Sequence, residues 1–208
     1  MSGDDPDDGD GSDGTDDAGG RTDDAGADAD ALRENVSDRF DRLPATAAER
    51  EVAGRATRPE VVDWWVDRFG VPRERFADYT FWEKGAGKVW AFRGASPSPV
   101  EVEALGVVFL RTRQEHPKPT TDAVQRFAAD ATRNVIDLDR AEARRFVAGE
   151  NQPVDWDGDW GYLIAAHEVA GGRAPIGVGL YVHGELQSMV PKGRRRQFDA
   201  PSPGDAGE

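Results

Sequence analysis

The chain has 208 residues, enough for one medium domain or two small ones, and a formal net charge of −14 that is confined to its ends. Residues 1–30 carry twelve Asp against one Arg, residues 199–208 carry three acids and no base, and residues 31–198 balance 25 acids with 25 bases, so a polyanionic partner is not excluded by charge. The absence of Cys excludes disulfides, thiolate metal sites and cysteine nucleophiles in this chain; no run approaches the ~18 apolar residues of a membrane span, and the N-terminus has no charged region followed by an apolar core, which predicts no signal peptide and a cytoplasmic location.

Residues 1–30 hold Asp, Gly, Ser, Thr and Ala with no large apolar residue after Met1, so they bury too little surface to offset their ordering entropy and are expected to be a disordered acidic tail. Leu32, Val36, Phe40 and Leu43 recur at three- and four-residue steps and predict a short helix ending at Pro44. Thr57-Arg-Pro-Glu reads as a helix start with Pro59 in the first turn. Val61, Val62, Trp65, Val66 and Phe69 give that helix its apolar stripe, and Gly70 stops it. Residues 76–82 and 88–92 predict two strands around a Gly-rich hairpin at 83–87. Residues 32–94 therefore read as a small α+β unit, and Gly94-Ala-Ser-Pro-Ser-Pro99 reads as a linker.

Beyond the linker, residues 102–111 predict a strand. Thr120-Thr-Asp precedes a helix with Ala123, Val124, Phe127 and Ala128 on its apolar stripe, and residues 134–138 predict a short strand. Asp139 with Glu142 three residues later makes a capping box for a helix that stops at Gly149. Residues 161–168, 175–183 and 185–190 predict three strands joined by Gly turns. This β-α-β-α-β-β-β order lacks repeated βαβ units and predicts an α+β fold. Residues 199–208 are expected to be a second disordered tail.

Catalytic constellations fail one by one. His167-Glu-Val-Ala-Gly begins like a zincin helix, but residue 171 is Gly rather than His and the segment reads as a strand. Asp155-Trp-Asp-Gly-Asp159 has the alternating acids of a calcium loop, yet its sixth and twelfth positions are Trp160 and Ala166 instead of Gly and Glu. Gly85-Ala-Gly87-Lys88 is too short for a P-loop, and Gly177-Val-Gly179 lacks the third glycine of a dinucleotide fingerprint. No metal, cofactor or catalytic group is predicted. What remains is basic: Arg111 and Arg113 at a strand end, Lys118 in Pro117-Lys-Pro119, Arg126, Arg133, and Lys192-Gly-Arg194-Arg195-Arg196. Guanidinium groups suit phosphates because their planar fork makes two parallel hydrogen bonds.

The pieces "LGVVFLRT", "KPTTDAVQRFAADATRNVIDLD" and "GYLIAAHEVAGGRAPIGVGLYVHGELQSMVPKGRRR" resemble a PUA-type module. They are similar to the RNA-binding PUA-like domains of Nol1/Nop2/Sun-type RNA methyltransferases and to ribosome-biogenesis factors that join a pre-PUA domain to a PUA domain. The resemblance implies a pre-PUA-like α+β unit at 32–94 and, at 95–198, a PUA-like mixed β pseudo-barrel with two helices. It implies RNA contacts at Lys118, Thr120, Thr121, Arg126 and Arg133, and at Lys192, Arg194, Arg195 and Arg196. The few Lys among many Arg and the excess of Asp over Glu resemble proteins of extreme halophiles, a halophilic archaeon for example, although a GC-rich genome has a similar effect.

Methylation at cytosine C5 needs a thiolate to attack the ring, so this Cys-free chain does not carry it out by that route. The reading is a non-catalytic RNA-binding protein acting on structured rRNA or tRNA in ribosome biogenesis or RNA modification. Its expected partners are that RNA and a methyltransferase or ribosome-assembly factor, with no membrane. Tyr181 and Phe198 are candidate stacking platforms, and Tyr181 mid-strand is equally a packing residue. The rival is a protein–protein adaptor anchored by Trp64 and Trp65; a nuclease using Asp155, Asp157 and Asp159 with a metal is a third reading.

Overall fold

The computed structural model describes residues 38–196. Both tails, the first half of the helix expected at Leu32, and Phe198 lie outside the described residues. Two five-stranded sheets and three α-helices make an α+β fold.

The first sheet is an antiparallel meander of β1 (Phe40–Arg42), β2 (Tyr79–Lys84), β3 (Lys88–Arg93), β4 (Val107–Arg111) and β5 (Lys118–Pro119), in that order. The second takes β6 (Val135–Asp137), β7 (Gln152–Pro153), β8 (Gly161–Val169), β9 (Gly172–Val182) and β10 (Glu185–Ser188), in the order β6-β8-β9-β10-β7. Among the described residues only β6 and β8 run parallel. The helices are α1 (Arg58–Phe69), α2 (Thr121–Phe127) and α3 (Arg140–Ala148).

Each helix forms where local chemistry directs it. Thr57 accepts the Glu60 amide while Glu60 reaches back to the Thr57 amide, and Asp139 with Glu142 does the same for α3. Gly70 and Gly149 end these helices at φ 62° and 87°, where a Cβ is disfavoured.

Three expected elements change. The stretch at 40–43 is not helical: Phe40 pairs with Lys84 as an edge strand, and Leu43 N donates to Phe81 O at 2.8 Å. A long-range partner strand outcompetes the helical spacing there. The strand expected from 102 begins only at Val107. Gly106 sits at φ 68°, where a Cβ would lie 2.1 Å from Ala91 O, and Val102 is 42% exposed. The strand expected from Phe76 starts at Tyr79, because Phe76 closes a 3-10 turn and points into the core. The two-residue strands β5 and β7 have no sequence signal of their own.

Residues 94–99 connect β3 to β4 within the first sheet. One core runs from α1 through β2–β4 and α2 to Ile164 of β8 and Val178 of β9. Trp65, fully buried, stacks on Phe109 with centroids 4.8 Å apart, and Phe109 meets Phe76 and Phe127 edge-on. Its neighbour Trp64 is only partly buried. A second cluster seats Phe146 of α3 against Leu163, Ala165 and Leu186.

The first sheet also buries charge. Arg55, 6% exposed, donates to Glu83 at 2.7 Å and to Asp41 at 3.0 Å, and Glu83 accepts the Gly87 amide at 2.6 Å. Each charge is therefore paired and hydrogen-bonded, the condition under which burial is tolerated.

Candidate nucleic-acid interface

The Pro-Lys-Pro sequence places Lys118 on the two-residue strand β5, where it is half-buried. Register pairs Lys118 directly with Arg111 of β4. Like charges facing across a strand pair repel, and among the described residues neither cation has a carboxylate partner. The Lys118 amine instead lies 3.4 Å from the Met189 sulfur and 5.9 Å from the Tyr162 ring. Burial, and then the charge of Arg111, push its pKa below the usual lysine value.

Thr120 caps α2. Its hydroxyl accepts the Ala123 amide at 3.1 Å and donates to the Val108 carbonyl. Thr121 is 5% exposed, and its hydroxyl is buried with no hydrogen-bond partner. Both threonines therefore face the protein. Arg126 of α2 is exposed. Arg133 donates to the Val66 carbonyl at 3.2 Å, so it caps the C-terminal end of α1, where a cation is favoured.

The C-terminal basic run folds back onto α2. After β10, residues Lys192–Arg194 form a 3-10 turn. Arg194 pairs with the Asp122 carboxylate and reaches Gln125 Oε1 at 3.4 Å. Arg195 lies over Gly149, the stop of α3, and donates to Val190 O at 3.3 Å. The Arg196 amide donates to Val147 O at 3.0 Å. Lys192, Arg194, Arg195 and Arg196 are all exposed. A cavity of about 280 Å³ opens between Thr121, Gln125, Ile176, Val190, Arg194 and Arg196.

The fold thus gathers Lys118 with Arg111, and the 192–196 run with the start of α2, and it sends Arg133 to α1. Met189, whose sulfur touches the Lys118 amine, lies three residues before Lys192 in the chain. Arg111 gains its place only through strand register, which its position at a strand end does not disclose. Among the described residues, no three or more His, Asp or Glu side chains converge as metal ligands. His167 Nδ1 lies 2.8 Å from Leu138 O on strand β8. No helix there is long and apolar enough to cross a membrane.

Two families match parts of the chain. Residues 25–106 match a family of unknown function, DUF7122. Residues 133–196 match the Methyltransferase RsmF PUA domain. The second match spans β6 to the Lys192–Arg194 turn, a PUA-like region of a kind found with methyltransferases, and a PUA domain suggests RNA binding. Lys118, Thr120, Thr121 and Arg126 precede it. No curated protein matches the chain.

Proposed function

We propose that this chain is a non-catalytic RNA-binding protein that recognises structured rRNA or tRNA, in ribosome biogenesis or RNA modification. The carrying observation is the half-buried Lys118 facing Arg111, with no acid among the described residues paired to either. A cation pair left without a counter-ion costs stability and is relieved by an external anion, and a phosphate supplies one. The exposed 192–196 run extends the same basic character along the PUA-like region. Phosphate contacts position the protein on RNA, while shape and 2′-hydroxyl contacts select it.

Any cytosine-C5 methylation of the bound RNA through a cysteine nucleophile belongs to a separate enzyme, because this chain has no Cys. The test is crosslinking in cells followed by sequencing of the bound fragments. Enrichment of rRNA or tRNA stems is expected, and recovery of protein partners that resist RNase, with no RNA enriched, contradicts it. The Lys192, Arg194 and Arg196 to Ser triple variant should lose crosslinking. Arg195 is left in place there, because it holds the end of α3.

A further inference from the structure

A second concavity, about 730 Å³, lies where the start of β8 meets α1 and the loop before β5. Its walls are aromatic: Trp64 from α1, His116 from the loop, and Trp160 and Tyr162 at the start of β8. Trp160 is 59% exposed, one of three exposed large hydrophobic residues among the described ones. Its ring meets His116 edge-on, with centroids 4.9 Å apart. Trp64 and Tyr162 are half-buried. Arg68 is fixed by donating to Tyr162 O at 2.9 Å, the Gln114 amide oxygen accepts from the Tyr162 hydroxyl at 3.5 Å, and Glu115 and Asp159 add two carboxylates.

This composition selects the ligand. One guanidinium against two carboxylates gives no excess of positive charge, so the cavity does not suit a phosphate. An aromatic cage that holds a quaternary ammonium carries no cation of its own, whereas Arg68 lines this cavity. A flat neutral ring fits both features: its face stacks on indole or phenol, and its edge gives N–H donors to carboxylates and acceptors to Arg68. The volume is that of an ordinary small-ligand pocket.

Position adds a second argument. Pro117 borders the cavity, and the next residue, Lys118, carries its amine 5.9 Å from the Tyr162 ring. A strand with a phosphate on Lys118 has its base beside the opening.

The geometry points to this cavity as the seat of one unstacked nucleobase, stacked on Trp160 next to a phosphate held by Lys118 and Arg111. The inference rests on the RNA-binding reading and names a base contact within it. Phosphate contacts alone carry no sequence information, so this seat is where the protein reads a base rather than a backbone.

The test compares two labelled probes by fluorescence anisotropy with the full chain: a short mixed-sequence single-stranded RNA, and an abasic ribose-phosphate chain of equal length. The exposed Trp160 is changed to Ala. Binding of the ordinary RNA should weaken about tenfold, the scale of removing one base stack, while binding of the abasic chain stays the same. Arg194→Ser should weaken both probes equally. Equal weakening on both probes, or none, for Trp160→Ala overturns the base seat and leaves RNA binding standing. Failure of the unaltered chain to bind the ordinary RNA overturns the base seat, and failure to bind a structured rRNA or tRNA stem as well overturns both readings.

Discussion

Burial and the facing Arg111 guanidinium both push the Lys118 amine below the usual lysine range. The folded chain therefore gives up this proton more readily than the unfolded chain does. The cost of the charge is present below the folded pKa and is relieved as pH rises through it. Lys118→Met removes the charge and keeps a chain of similar length beside Met189. Thermal unfolding at neutral pH should show a Tm equal to or above that of the parent, while RNA affinity falls. A lowered Tm would mean that Lys118 is structural. Arg55 is the opposite case. It is buried between Glu83 and Asp41, so Arg55→Leu strands two carboxylates and should cost about 3–5 kcal/mol by denaturant unfolding.

At the scale of elements, α1 depends on its N-terminal box. Glu60 is held below the ordinary carboxylate range chiefly by the Thr57 backbone amide it accepts; burial opposes this, and Arg50 adds to it. That contribution is complete above the unfolded Glu value of about 4.3 and is lost as pH falls through the lower folded value. Thr57→Ala should cost about 1 kcal/mol, and Glu60→Gln should flatten part of the acid limb of a stability–pH curve. An acid limb unchanged in Glu60→Gln contradicts that assignment. In β9, a Cβ at Gly179 would lie 2.4 Å from Leu186 Cδ1 and 3.3 Å from the Phe146 ring. Gly179→Ala should therefore destabilise by roughly 1–3 kcal/mol through overpacking. The helices were legible in the sequence because caps, boxes and stop glycines act within four residues. The hairpin at 83–87 was legible for the same reason. Phe40 shows the limit: its spacing to Leu43 matches a helix turn, and only its distant partner Lys84 makes it a strand. β5 and β7 are strands solely by virtue of the neighbours they pair with.

Across the whole molecule, the first sheet and the PUA-like region share one core, since Ile164 and Val178 pack with α1 and β2–β4. The basic residues were legible as residue types at 118 and 192–196. Their geometry was not, because the Arg111–Lys118 pairing is a matter of register and the return of Arg194 to Asp122 joins positions 72 residues apart. Tyr162 and Trp160 lacked any spacing signal, and their juxtaposition with Trp64 exists only in the fold. The acidic excess lies in residues 1–30 and 199–208, outside the described residues, and residues 31–198 balance 25 acids with 25 bases. The most direct measurement is RNA affinity over a salt series for the unaltered chain and for the Arg111→Ser, Lys118→Met double variant. Binding should weaken with salt, and the log–log slope should be shallower in the double variant by about 0.7 for each phosphate that is no longer neutralised. Identical affinity and slope in the two proteins would contradict RNA binding through this cation pair.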